Sequence, residues 1–197
     1  MTESTLDGVR YMKHLRHGDS RGAFREIWQA SAFGPIDPAS ASLAPDHPVT
    51  TGKAASFVQA NLSSSAAGVL RGLHLHRHQL DYWTVLAGKA FIALVDVRPL
   101  VRGTGSRAIV ETRTMGPDEA VVIPAGVAHG FLAIDPIELL YLVTNEYDGS
   151  DELGFAFDDP AVGVPWPRVA TPDGQPILSD RDRSNPLLEE LLVSLRP

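Results

Sequence analysis

The chain has 197 residues, 44% of them hydrophobic and 21% charged, the ordinary balance of a globular protein with enough length for one sizeable core. A net charge of −7 argues against general affinity for nucleic acid, which needs clustered Lys and Arg, but still allows a few local arginines to hold a phosphate-bearing small ligand. Cysteine is absent, so neither a disulfide nor a thiolate metal site exists, which fits a reducing compartment.

In chain order, the opening segment MTESTLDGVRYMKHLRHGDSRG holds no apolar run of signal-peptide length, and no later stretch is long and apolar enough to cross a bilayer. A cytoplasmic protein with no membrane partner is the expectation. Phe24–Ala32 reads as helical, and residues 34–52, rich in Pro, Ala and Ser, read as an irregular surface loop. From residue 56 the texture changes to short apolar runs between turn signals: SFVQANL, GVLRGLHL, YWTVLAG, AFIALVDVR, AIVETRTM, AVVIPAG, HGFLAI and LLYLVT. They are rich in β-branched and aromatic residues and too short for good helices. Phe91, Ala93 and Val95 alternate with Ile92, Leu94 and Asp96, the period of a strand. Such evenly spaced strands predict an all-β sandwich or barrel. The tail Pro186–Leu195 reads as a short C-terminal helix, with Asn185 as its cap and Pro186 at its first position.

Two segments concentrate histidine. The first runs from Gly68 through Arg71, His74, His76 and His78 to Asp81; the second is Pro124-Ala-Gly-Val-Ala-His129-Gly-Phe. Residues two apart on a strand share a face, so His74 and His76 are expected to point the same way. If their strand lies near the one carrying His129, three imidazoles and Asp81 converge. His78 shares their parity but sits amid polar residues and is expected at the surface.

The spacing G-x5-H-x-H-x4-D-x6-G followed by P-x-G-x-x-H resembles the two cupin motifs, with Asp81 where cupins usually carry Glu. A longer match resembles the dTDP-4-dehydrorhamnose 3,5-epimerase family of that superfamily. It runs through Asp19-Ser-Arg21-Gly22, Gln59-Ala-Asn61, Arg71-Gly-Leu-His74, Asp96-Val-Arg98, His129-Gly-Phe131, Leu140-Tyr141, Asp158-Asp159-Pro160, Trp166-Pro167 and Leu178-Ser-Asp-Arg-Asp182. The resemblance implies a cupin double-stranded β-helix, or jelly roll, forming a single domain over residues 1–197, with its core at about 54–168 and a tail at 169–197. It implies an isomerase acting on a nucleotide-linked 4-keto-6-deoxysugar, with no required cofactor, working as a homodimer that swaps N-terminal strands. Carried over by position, His74 is the general base, Asp182 the carboxylate that orients it, and Tyr141 the acid on the opposite sugar face. Arg21, Glu26, Gln59, Asn61, Arg71, His129 and Glu152 would line the nucleotide-sugar site. The chemistry asks for these types: protons beside a ketone are acidified, and inversion needs a base and an acid opposed across the ring.

The chain also departs from the family. A Gln normally follows the catalytic His and a Lys opens the next strand; Asp81 aligns with that Lys. A cation there would stabilise the enolate, whereas a carboxylate would repel it. Asp81 with His74, His76 and His129 instead makes the three-His, one-carboxylate set of metal-binding cupins, suited to Fe(II), Mn, Ni or Zn. If His74 is a ligand it cannot also serve freely as the base. Three other readings stand beside the epimerase: a metallocupin acting on another small polar substrate, a sugar 3,4-ketoisomerase, and a non-catalytic sugar-nucleotide binding module.

Overall fold

The computed structural model describes residues 4–33, 43 and 56–195, so the loop expected at 34–52 lies outside the described residues except for the buried Leu43. Each of the apolar runs expected from residue 56 onward becomes a strand: β4 (Gln59–Ser65), β5 (Leu70–Leu75), β6 (Asp81–Ala87), β7 (Ala90–Asp96), β8 (Ile109–Met115), β9 (Glu119–Ile123), β10 (Val127–Ala133) and β11 (Ile137–Val143). Before them come β1 (Arg10–Lys13), β2 (Arg16–Asp19) and β3 (Gly22–Arg25), after them the short β12 (Leu153–Gly154), and between β7 and β8 a one-turn helix, α2 (Arg98–Val101). The strands form two five-stranded sheets, β1-β9-β6-β11-β4 and β12-β5-β10-β7-β8, with β2 and β3 paired apart as a hairpin. This is the jelly-roll architecture expected. No described helix is long and apolar enough to cross a membrane.

Strand alternation decides the layers. Ile92 and Leu94 of β7 pack between the sheets with Val85, Val121, Phe131 and Leu139. Their neighbours Ala93 and Val95 point to the other face, where Phe155 and the leucines of the tail cover them. The two central strands of the second sheet, β7 and β10, are therefore buried on both faces, which is why they read as nearly continuous apolar runs. Each fully buried Ile or Leu contributes roughly 1.5–3 kcal/mol.

Two local readings are corrected. The stretch read as a helix at Phe24–Ala32 is instead β3 followed by irregular chain, with only a four-residue helix, α1 (Ala30–Phe33). Phe24 is 70% exposed on the β2–β3 hairpin. In the tail, Asn185 does not open the last helix. It closes a preceding one, α3 (Asp180–Ser184), and the last helix, α4, starts later at Leu188 and runs to Leu195. The Leu188 amide is held by the buried carboxylate of Asp159 at 2.7 Å, so the cap comes from a distant loop.

Candidate active site

Apolar side chains fill part of the space between the sheets. The rest is a cavity of about 400 Å³, lined by Arg71, His74 and His129 from the second sheet and by Gln59, Asn61, Asp81 and Tyr141 from the first. Trp83, Phe131 and Leu139 belong both to the inter-sheet core and to the cavity wall, so the pocket is a continuation of that core.

A bulge sets which side chains enter it. On β10, His129 lies opposite His74 and Phe131 opposite Arg71, so two steps on β10 match three on β5. The extra residue shifts the phase of the strand, and Arg71 and His74, of opposite parity in sequence, both face the cavity. The backbones touch here: a Cβ on Gly72, whose φ is +118°, would lie 2.6 Å from the Cα of Gly130. Only glycine allows that approach.

His74 Nε2 lies 2.7 Å from Asp182 Oδ1. Asp182 comes from α3, whose cap Ser179 accepts from the Asp182 amide and donates its hydroxyl to Asp182 Oδ2 at 2.9 Å. Burial works to raise the Asp182 pKa, but the hydrogen bond and charge of His74, then Ser179 and Arg181, outweigh it and hold it below the ordinary carboxylate value. An anionic Asp182 only accepts, so Nε2 carries a proton, and in the neutral ring Nδ1 keeps its lone pair. That is the tautomer of a base.

Tyr141 stands on β11, directly across from Asn61 on β4 and Trp83 on β6. Burial, with Asp81 and Glu152 nearby, raises its pKa, and Arg71 only partly offsets this. The hydroxyl therefore keeps its proton at neutral pH and can donate it.

The four-residue metal set expected from the sequence does not stay together. His76, Asp81 and His129 bring one candidate ligand atom each to within 4.8 Å of one another, all three residues being buried. His74 is outside the set, and Asp182 engages its Nε2. Nδ1 of His76 donates to the carbonyl of Asp151 at 2.6 Å and Nδ1 of His129 to that of Val127 at 3.1 Å. The rings of His76 and His129 lie 5.3 Å apart, and Trp83 packs edge-on against His129. Burial, the largest influence, lowers the His129 pKa to about 4 against the pull of Asp81, so its ring is neutral near pH 7. His78 is half-buried, and its amide is tied to Asp151.

Of the remaining residues expected at the site, Gln59, Asn61, Arg71 and Glu152 line the cavity. Arg21 and Glu26 do not. Arg21 sits on the hairpin, paired at 2.5 Å with Asp19 and largely exposed, and Glu26 is exposed just beyond it. Sequence reasoning missed Arg181, which lines the cavity and pairs with Glu152 at 2.5 Å. Its place between Asp180 and Asp182 was the available signal. It also missed Trp83 and Ser63, which line the cavity and whose buried Nε1 and Oγ have no hydrogen-bond partner among the described residues.

Comparison with known proteins accords with this geometry. The sequence profile of the family described as dTDP-4-dehydrorhamnose 3,5-epimerase matches residues 3–190. The Salmonella typhimurium dTDP-4-dehydrorhamnose 3,5-epimerase is 31% identical over 196 residues, covering 98% of this chain and 97% of that protein. Among solved structures, the Mycobacterium tuberculosis epimerase superposes with a TM-score of 0.78 at 33% identity, over 99% of this chain and 92% of that one. A 3'-monoepimerase from Streptomyces bikiniensis, in complex with dTDP-quinovose, superposes with a TM-score of 0.77 at 27% identity, over 100% of this chain and 92% of that one.

Proposed function

This chain belongs to the dTDP-4-dehydrorhamnose 3,5-epimerase family, and from that premise we propose that it inverts one or both carbons beside the ketone of a dTDP-linked 4-keto-6-deoxyhexose. The observation that carries this reading is the His74–Asp182 pair on one wall of the cavity facing protonated Tyr141 on the other. His74 Nδ1 removes the proton next to the ketone, and the charge passes to the ketone oxygen as an enolate. Asp182 stabilises the imidazolium that forms, and Tyr141 returns a proton from the opposite face. Such general acid–base work is worth about 10²–10⁴-fold per group. The described relatives are 3,5- and 3'-epimerases, which favours this chemistry over a ketoisomerase or a binding module.

The diphosphate needs cations. Arg71, anchored by Nε to Ser65 Oγ at 3.0 Å, and Arg181 line the cavity, but Asp81 and Glu152 balance them there. Arg21 and Glu26 complete the site if supplied by a second copy. That arrangement accounts for a hairpin that carries an exposed Phe24 and for an edge strand, β4, with Leu62 60% exposed. The working unit in this reading is a homodimer, and Phe24→Asp would leave a monomer by light scattering.

The test is incubation with dTDP-4-keto-6-deoxyglucose in heavy water, read by NMR at the carbons flanking the ketone. Wild type incorporates deuterium there, and His74→Asn abolishes it. Tyr141→Phe still exchanges a proton but does not invert the carbon. A wild-type protein that exchanges nothing above buffer would end the epimerase reading.

A further inference from the structure

We propose that His76, Asp81 and His129 form a binding site for one divalent first-row transition-metal ion, with its open coordination positions facing the cavity. The case rests on where protons and lone pairs lie. A carbonyl oxygen can only accept, so the contacts to Asp151 and Val127 place the proton of each neutral ring on Nδ1. Both Nε2 atoms are left with lone pairs. Asp81 adds a carboxylate, one oxygen of which accepts from the Gln79 side-chain amide at 3.2 Å. One candidate ligand atom from each residue lies within 4.8 Å of the other two, all three residues are buried, and no hydrogen bond joins any two of them. Close lone pairs with no proton between them repel, and a cation is what relieves that repulsion.

The surroundings are those of a metal site. Each ligand has an outer partner that fixes its orientation: the Asp151 carbonyl for His76, the Val127 carbonyl for His129 and Gln79 for Asp81. Two imidazoles and one carboxylate suit first-row divalent ions and disfavour Mg²⁺ and Ca²⁺, which prefer all-oxygen shells. Three protein ligands leave positions for water or a ligand oxygen, and all three residues line the same cavity as Tyr141 and His74. Because His74 is held by Asp182 and stays outside the set, an ion and a free base fit in one pocket. Such an ion would add positive charge to the cavity in which the proposed enolate forms, although the site itself does not depend on that reaction.

The experiment is metal titration of the full chain after dialysis against a chelator, without substrate, using Zn²⁺ by calorimetry and Co²⁺ by visible absorption. Wild type takes up one equivalent per chain, and Co²⁺ develops the absorption of a nitrogen- and oxygen-ligated site. His76→Gln and Asp81→Asn each weaken binding by about 10-fold or more, with unchanged thermal unfolding of the metal-free proteins as the control for folding. His74→Asn leaves the affinity unchanged. Substoichiometric uptake by wild type, or binding that survives both ligand substitutions, overturns the site. Loss of binding in His74→Asn overturns the three-residue assignment. None of these readings involves turnover, so a failed metal site and a failed epimerase are told apart.

Discussion

Two buried clusters of charge lie on neighbouring strands and differ in what they leave unsatisfied. At the end of β7, Arg98 holds Asp96 through two bonds of 2.8 and 2.6 Å, gives a third to the Asp7 carbonyl at 2.7 Å, and its amide bonds Asp96 again at 3.0 Å. Each carboxylate oxygen there has a donor. In the cavity, His76, Asp81 and His129 converge with no bond among them. Both clusters sit in segments that marked the family resemblance, yet only one has valence to spare. A saturated cluster pins the fold; an unsaturated one awaits a ligand. Motif membership alone does not tell the two apart, whereas hydrogen-bond accounting does.

The sharpest way to break this comparison is to make the same chemical change in both places. Asp96→Asn strands the buried Arg98 guanidinium, and removing one partner of a buried pair costs about 3–5 kcal/mol. The expected result is a large drop in urea midpoint, with turnover per folded molecule little changed. A stable Asp96→Asn would mean that the pair is dispensable.

Next comes the bulge that supplies the cavity with both Arg71 and His74. Gly72→Ala would force a Cβ to 2.6 Å from Gly130 Cα and 2.7 Å from the His129 carbonyl, in a backbone conformation that side chains disfavour. Overpacking of this kind costs about 1–3 kcal/mol. Because the strand must shift, KM for the nucleotide-sugar should rise as well, a coupling that Asp96→Asn does not share. Stability and steady-state kinetics on the same preparation check both halves.

This bulge also marks the limit of what the sequence disclosed. The strands from residue 56 onward were legible because alternation and turn residues are local signals, as the split of Ile92 and Leu94 from Ala93 and Val95 shows. His74, His76 and His129 were legible as a group because strand parity and motif spacing bring them together. Arg71 was placed by resemblance alone, since its parity opposes His74 until the register against β10 is known. The split of the four-residue set was not legible, because it depends on Asp182 arriving from a tail segment 108 residues away. Arg21 entered the expectation by the same route as Arg71, but in a single chain it remains on an exposed hairpin.

The base pair itself supplies a smaller and pH-dependent effect. Asp182 titrates below its ordinary value of 3.8 in the folded chain, so the unfolded state takes up its proton first as pH falls. Its contribution is therefore fully present above pH 3.8 and is lost as pH drops through the lower folded value. Wild type should exceed Asp182→Asn by about 1.5–3 kcal/mol, the worth of a hydrogen bond to a charged group. That gap should hold from neutral pH down to the unfolded value and close below it. A gap that stays open below the folded value would contradict the pairing with His74.

The smallest expected effect is the most discriminating. In metal-free protein, Asp81→Asn removes a buried charge that among the described residues has no cationic partner, only the Gln79 amide. Its stability should stay within about 1 kcal/mol of wild type or rise, since an amide is cheaper to bury than an unpaired carboxylate. The same carboxylate-to-amide change that cripples the β7 cluster is thus nearly silent here. Adding Zn²⁺ then separates the proteins. A ligand that binds only the folded state stabilises it by about 2.7 kcal/mol at a hundred times Kd, so the wild-type Tm should climb, while Asp81→Asn, with binding weakened tenfold, gains at most about half as much. Parallel melts with and without Zn²⁺ measure this directly. If both proteins respond alike, the gathered lone pairs of the cavity are held apart by something other than a metal, and the contrast between the two clusters fails.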